Sequence, residues 1–198
     1  MKLSIILPVK KEPYLRYLLN DITHSIEGDI ETFVQTEKGL GNAVKCGLQR
    51  CSGEYVVIMD SDGSHTPKAI PEMIKHLEDA DIVVGSRYVK GGVSYDSFGR
   101  RFISKVYCRF AKTLFGLKIK DNMSGFIVAK KEVFDAYPIS NKGFKFGLEL
   151  LVKTKKVYKA IECPIVFEKR KMGKSKANYK EAFHTLFFML WLKAKVIF

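Results

Sequence analysis

The apolar run Tyr55-Val56-Val57-Ile58-Met59 passes straight into Asp60-Ser61-Asp62-Gly63, and that junction constrains the chain more than any other feature. A short apolar run rich in β-branched residues and closed by turn residues predicts a strand buried on both faces. Leu3 to Leu7 and Ile82-Val83-Val84 read the same way, and Glu31 to Gln35 reads as a weaker strand. Helical spacing fills the intervals. Tyr14 to Ser25 carries Leu15, Leu18, Leu19 and Ile22, Leu40 to Arg50 follows, and Pro67 to Leu77 opens on proline as helices do. This alternation predicts an α/β chain with a mostly parallel sheet and helices on both faces. Ligands of such sheets bind outside the carboxyl ends of the strands, so the residues after Leu7, Met59 and Val84 carry the functional information.

The 198 residues suit one domain with a sizeable core, and a hydrophobic share of 46% excludes disorder of the whole chain. A net charge of +13 calls for polyanionic partners: nucleic acid, anionic lipid headgroups or phosphorylated substrates. Cys46, Cys51, Cys108 and Cys163 form no C-x-x-C pair, and with His24, His65, His76 and His184 they give no zinc spacing. Free thiols in a reducing compartment are the expectation. Met1-Lys2 leads directly into Leu3 to Leu7, ended by Pro8, which is shorter than a secretory h-region.

Further on, Ser97 to Phe115 reads as a basic helix with Arg100, Arg101, Lys105, Arg109 and Lys112. Phe126 to Val128 and Ile161 to Phe167 read as strands, and Glu168 to Lys180 as a basic, glycine-containing loop. Residues 1–180 are expected to form the α/β domain and 181–198 an appended helix. In that helix Phe183, Leu186, Phe187, Leu190 and Trp191 share one face, and the run is shorter than the roughly 20 apolar residues of a membrane span. The preceding cationic loop, and Trp191 beside Lys193 and Lys195, favour an amphipathic helix lying in the headgroup layer. A packed core helix and the start of a span are the alternatives.

Asp60 and Asp62, one residue apart at a strand's carboxyl end, are hard oxygen donors suited to Mg²⁺ or Mn²⁺, which keep waters and take phosphate oxygens. Asp-Ser-Asp-Gly is also good turn chemistry. Arg87, Arg100 or Arg101, and Arg170 come from three segments able to converge on phosphate, which guanidinium binds bidentately. Arg100 and Arg101 read equally well as a solvated helix face. Gly173-Lys174-Ser175-Lys176 suits a loop that closes over phosphates.

Several motifs, in order, resemble the family 2 glycosyltransferases of the GT-A fold, and among them the polyprenyl-phosphate (dolichol-phosphate) mannosyl- and glucosyltransferases. They are Ser4-Ile5-Ile6-Leu7-Pro8-Val9-Lys10-Lys11-Glu12, Gly39-Leu40-Gly41-Asn42-Ala43, Asp60-Ser61-Asp62, Gly85-Ser86-Arg87-Tyr88, Asp121-Asn122-Met123-Ser124-Gly125-Phe126 and Arg170-Lys171-Met172-Gly173-Lys174-Ser175-Lys176. The resemblance covers nearly the whole chain. It departs at the second strand, where the family's Asp-Asp-Gly-Ser segment is missing and Ile30 to Lys38 runs almost directly into Gly39. Ser64 stands where many relatives have a glutamine near the metal.

The resemblance implies transfer of a hexose, mannose first and glucose next, from a GDP- or UDP-sugar to polyprenyl or dolichyl phosphate. The enzyme would sit on the cytoplasmic face of a membrane as a peripheral or monotopic protein. Asp60, Asp62 and Ser64 would hold Mg²⁺ or Mn²⁺. Pro8, Glu12, Gln35 and Gly39, with Asp60 and Asp62, would bind the donor. Arg87, Arg100, Arg101, Ser104, Arg170, Ser175 and Lys176 would bind the acceptor phosphate. Asp60, Asp62, Arg87 and Asp121 are the expected catalytic set, and Glu149 is a further candidate for sugar hydroxyls or an ordinary helix carboxylate. An already anionic acceptor needs no strong general base, so positioning carries that side of the reaction. Two rivals are a family 2 transferase with a saccharide or other lipid acceptor, and a non-enzymatic basic adaptor on a decayed transferase fold. Nucleic acid is not an expected partner, because no nucleic-acid-binding motif accompanies the charge.

Overall fold

The computed structural model describes residues 2–10, 12–140, 145–171 and 179–197. Six strands form the central sheet in the order β2-β1-β3-β6-β4-β7, where β1 is Lys2–Pro8, β2 Asp29–Gln35, β3 Tyr55–Ile58, β4 Ile82–Ser86, β6 Ile127–Lys130 and β7 Ala160–Pro164. Neighbours are parallel except at β6, which runs antiparallel to β3 and β4. A second, two-stranded sheet joins β5 (Val93–Ser94) to β8 (Val166–Phe167). The stretch Ile161 to Phe167, expected as one strand, is thus two. Its first part ends on Pro164, which has no N–H for the ladder, and Val166 and Phe167 cross to β5.

The central strands are buried continuously, and successive residues join opposite clusters, so the sheet has a core on either side. Leu3, Ile5, Leu7, Val57, Met59, Val83 and Val128 face α1 (Leu15–Ser25) and α3 (Ile70–Lys75). Ile6, Val56, Ile58, Ile82, Val84, Ile127 and Ala129 face the other helices: α2 (Leu40–Arg50), α4 (Phe98–Phe115), α5 (Lys131–Ala136), α6 (Phe146–Thr154) and α7 (Tyr179–Ile197). This is the two-faced cover that the apolar runs called for. Helix α2 lies close on β1 because Gly47 has no side chain, and a Cβ there would stand 2.7 Å from Ile6. β2 is an edge strand that passes through 36–39 directly into α2, which fits the missing strand-helix unit.

α4 and α7 bury their inner sides in the same core, through Ala111 and Phe115 of one and Phe188, Met189 and Leu192 of the other. Lys193 Nζ donates to the Leu114 carbonyl at 2.9 Å and lies over the Phe115 ring, tying the two helices together. Their outer sides expose Phe98, Phe102, Ile103, Val106 and Phe110 on α4, and Phe183, Leu186, Phe187 and Leu190 on α7. Trp191 is half-buried and stacked on Phe188. Among the described residues, no helix is long and apolar enough to cross a membrane. All four cysteines are free thiols.

Candidate functional site

Parallel β1 and β3 deliver Pro8 and Asp60 to one edge of the sheet, and Ser61 Oγ donates to the Pro8 carbonyl at 2.8 Å across them. The chain then turns at Gly63, whose φ of +79° is the region that glycine adopts freely. A side chain there would also strike Tyr14 and Lys171, each at 2.7 Å. The turn brings the Ser64 N–H to Asp62 Oδ1 at 2.9 Å, with the Ser64 hydroxyl on the same oxygen. The turn chemistry is therefore realised by the residues expected to bind the metal. Ser64, expected on the metal, is buried and points its hydroxyl at Asp62.

Behind the turn lies His65, enclosed between Phe126 and Phe167. The Asp60 N–H donates to its Nδ1 at 3.1 Å, which requires an unprotonated Nδ1. Burial lowers the His65 pKa against the opposing pull of Asp60 and Asp62, so the ring is neutral and serves as a backbone prop. The Asp60 carboxylate is 44% exposed, in the open edge. Gly125 faces it, and a Cβ at that position would stand 3.4 Å from both carboxylate oxygens.

The segment after β8 runs along this turn. Glu168 N–H donates to the Ser64 carbonyl at 2.9 Å and Lys171 N–H to the Asp62 carbonyl at 3.1 Å, while Phe167 bridges to His65. The lacing sets the Arg170 guanidinium between two carboxylates. Nη2 lies 2.8 Å from Asp62 Oδ2 and Nη1 3.1 Å from Glu12 Oε2. Arg170 is 28% exposed, Glu12 only 7%, and the second Glu12 oxygen is buried without a hydrogen bond. Arg170, expected on the acceptor, thus stands beside Glu12 and Asp62, both expected on the donor.

Arg87 leaves the end of β4 and meets Asp121. Nε donates to Oδ2 at 2.8 Å, Nη2 to Oδ1 at 2.7 Å and the Arg87 backbone N–H to Oδ2 at 2.9 Å. Asp121 is 0% exposed. Burial opposes the Arg87 charge, but the hydrogen-bonded Asp121 more than offsets it, and the pKa is raised. Glu162, on β7, accepts the Asp121 N–H and the Ser86 hydroxyl and so braces the pair. Ser104 accepts from Arg87 Nη2 at 3.3 Å, which puts the inner side of α4 on this guanidinium. The Phe167 ring lies 5.1 Å from the Arg87 guanidinium and 5.3 Å from the His65 ring, and so joins Arg87 to the acidic turn.

Of the other expected residues, Gln35 is buried at the end of β2. Its carbonyl accepts from the Val9 N–H at 2.8 Å, and its amide nitrogen, in the orientation that satisfies it, donates to Glu37. Gly39 opens α2 with φ +95°. Arg100 and Arg101 are exposed on α4, the first 3.8 Å from Asp96 and the second donating to the Ser94 carbonyl at 3.4 Å. Ser175 and Lys176 lie outside the described residues. Glu149 is turned inward, taking the Ser140 N–H and hydroxyl and pairing with Lys153, which is the ordinary-carboxylate alternative. Sequence reasoning missed the roles of His65, Glu162 and Phe167 and the pairing of Glu12 with Arg170. Only His65, directly after the acidic turn, carried a signal.

Among the described residues no group of three or more His, Cys, Asp or Glu is placed to hold a metal. Two carboxylates leave most of a coordination shell to water and phosphate oxygens. That fits Mg²⁺ or Mn²⁺ bound together with a phosphate ligand and does not fit a closed zinc site.

Comparison with known proteins agrees with this geometry. The description Glycosyl transferase family 2 matches residues 18–137, more than half of the chain. The chain is 40% identical over 154 residues to the dolichol-phosphate mannosyltransferase of Pyrococcus furiosus, covering 76% of this chain and 44% of that protein. It is 36% identical over 162 residues to the Saccharomyces cerevisiae dolichol-phosphate mannosyltransferase (77% and 60%) and 33% over 153 residues to the Micrococcus luteus undecaprenyl-phosphate mannosyltransferase (72% and 62%). It therefore spans roughly half the length of these curated relatives. Glucosyl-3-phosphoglycerate synthase from Mycobacterium tuberculosis, solved with Mn²⁺, UDP and phosphoglyceric acid, shares the fold at a TM-score of 0.76 and 16% identity, over 98% of this chain and 78% of that one. The same synthase with Mg²⁺ and UDP gives 0.71 at 15% identity, over 95% and 79%. On motif order, sheet topology and the family match together, this chain belongs to glycosyl transferase family 2.

Proposed function

We propose that the chain transfers a hexose, mannose first and glucose next, from a nucleotide-sugar to the phosphate of a polyprenol at a membrane surface. One observation carries the reading: an open acidic turn and a buried, paired guanidinium are linked through the Phe167 ring, which contacts both Arg87 and His65 of the turn. Both a diphosphate donor and a phosphate acceptor are accommodated by that arrangement. The relatives named as dolichol- and undecaprenyl-phosphate mannosyltransferases support the choice of sugar and acceptor.

Asp60 and Asp62 would hold the cation, with Ser64 orienting Asp62 and His65 fixing the backbone of Asp60. Bound there, Mg²⁺ or Mn²⁺ neutralises charge gathering on the nucleotide diphosphate. Glu12, with its unsatisfied buried oxygen, offers the nucleotide a hydrogen-bond acceptor, and Pro8, Gln35 and Gly39 line the same edge. On the acceptor side Arg87 and Ser104 receive the phosphate, with Arg100 and Arg101 on α4 nearby in sequence. Asp121 acts through Arg87, since both its oxygens are engaged there, and is a positioning residue. No base is required of it, because the attacking phosphate oxygen is already anionic.

The membrane reading rests on α4 as well as α7. Phe98, Phe102, Val106 and Phe110 recur every fourth residue and form one exposed stripe. An exposed apolar patch of this extent marks an interaction surface. The α4 sequence carries Arg100, Arg101, Lys105, Arg109 and Lys112 and no acidic residue, so a second copy of the chain would be repelled and anionic headgroups attracted. Free thiols suit the cytoplasmic face.

The test is a donor screen with GDP- and UDP-hexoses, Mg²⁺ or Mn²⁺ and a short polyprenyl phosphate, following transfer to lipid. Asp60→Ala and Asp62→Asn should each lower the rate on the order of 10³-fold or more. Near-normal transfer by the double variant, or by wild type in EDTA, would rule the site out. Phe102→Ser with Phe187→Ser should abolish co-sedimentation with anionic vesicles while leaving donor binding intact. Unchanged sedimentation would remove the membrane surface from the proposal.

A further inference from the structure

We infer that Arg170 stands in the cation's place until a nucleotide diphosphate arrives, so that divalent cation and nucleotide bind as one event. The inference rests on the reading of Asp60 and Asp62 as the cation's ligands and concerns how that site is held before it is filled.

Asp62 has no oxygen without a partner. Oδ1 takes the Ser64 N–H and hydroxyl, and Oδ2 takes Arg170 Nη2 at 2.8 Å. An incoming cation on Oδ2 therefore meets a guanidinium already bound there, and the two positive charges repel. Glu12, on the same guanidinium through Nη1, is 7% exposed and has lost most of its water. Two carboxylates so enclosed need a positive charge between them, and Arg170 supplies it. The Lys171 N–H on the Asp62 carbonyl and the Glu168 N–H on the Ser64 carbonyl hold the backbone on both sides of Arg170. Release of Asp62 is consequently a side-chain rotation.

A rotated guanidinium needs a new anion. A free cation brings none, whereas a cation arriving with a diphosphate brings oxygens that Arg170 binds bidentately. Binding of either partner then favours the other, and the coupling is reciprocal. The site is thereby kept from filling with bare metal ions, and the open nucleotide edge is kept from presenting two unpaired carboxylates.

The experiment measures Mn²⁺ binding by electron paramagnetic resonance, with and without GDP or UDP, on folded protein checked by thermal melting. Wild type should bind Mn²⁺ weakly alone and more tightly with the nucleotide. Arg170→Ala should raise the affinity for Mn²⁺ alone about tenfold and shrink the gain from nucleotide by a similar factor, within the usual range of such couplings. Arg170→Lys should fall between, because a point charge cannot span both carboxylates. Lys169→Ala removes the same charge from the exposed residue before Arg170 and should leave the affinity unchanged. An Arg170→Ala affinity equal to wild type, with Asp62→Asn abolishing binding, would overturn the inference and leave the proposed function standing. A Lys169→Ala effect as large as that of Arg170→Ala would reduce it to bulk charge and overturn it too. Undiminished Mn²⁺ binding by Asp62→Asn would overturn both.

Discussion

Arg87 follows β4 of the central sheet, Arg170 follows β8 of the small one, and both pair with aspartate, yet they do different work. Arg87 meets a carboxylate that is 0% exposed and braced from behind by Glu162. Arg170 spans two carboxylates from separate loops and remains 28% exposed. In the first pair neither partner can leave without stranding a charge in the interior, so the fold fixes the pair and Arg87 would meet a phosphate without releasing Asp121. In the second, water and ligands reach the guanidinium, so the bond is exchangeable. The sign and number of charges are similar, and the access of solvent sorts them.

The sharpest way to break this contrast is to remove the enclosed pair. Asp121→Ala or Arg87→Ala leaves an uncompensated buried charge and should destabilise the fold by roughly 3–5 kcal/mol. Urea unfolding monitored by circular dichroism reads this directly, and a loss under 1 kcal/mol would make Arg87 as exchangeable as Arg170. Activity lost in these variants should be interpreted only after that measurement.

Glu31 sits between the two extremes. It accepts from the Ser4 hydroxyl and from the Ser52 and Gly53 N–H groups, and pairs with Lys2 at 3.2 Å. Burial pushes its pKa up, but the bonds from Ser4, Ser52 and Lys2 prevail and lower it from 4.5 to about 2. Being lowered on folding, it adds stability that is complete above pH 4.5 and is lost as the pH falls toward 2. Glu31→Gln should cost about 1–3 kcal/mol at pH 7 and flatten the stability profile across that acid window. An unchanged slope would assign the acid sensitivity to other carboxylates.

The smallest effect belongs to the open bridge. Arg170→Ala takes the cation from Glu12, which is 7% exposed, but solvent already reaches the guanidinium and can rehydrate both carboxylates, so the loss should be about 1 kcal/mol. A larger loss would move Arg170 into the structural class with Arg87.

The sheet was legible because its information is local. Two-sided burial writes continuous apolar runs, and Leu3 to Leu7, Tyr55 to Ile58 and Ile82 to Val84 all lie in strands of the sheet. The antiparallel β6 was not legible as such, since Phe126 to Val128 has the same apolar character whichever way it runs. Helix α6, touched on only through Glu149 as a helix carboxylate, could not be given bounds, because it is buried nearly all round and shows little periodicity. At the site, Asp60, Asp62 and Arg87 announced themselves by their place after strands. Their partners did not: Glu12 and Arg170 are 158 residues apart, and only the lacing of two loops brings them together. Likewise α7 read as a surface helix, yet Phe188, Met189 and Leu192 are inside. The same spacing serves a core on one side and an exposed stripe on the other.

Ser104 on α4 has a consequence of height. It accepts from Arg87 on the inner side of that helix, while Phe102 and Val106 project from the outer side. With the outer side laid on lipid as proposed, a helix diameter of about 10 Å separates the bilayer from the guanidinium. The acceptor's phosphate must rise through that distance to be reached, and the carbons next to it leave the lipid with it. Discrimination among acceptors then falls on the stretch of chain nearest the phosphate, while the rest of the prenol stays in the bilayer, whatever its length.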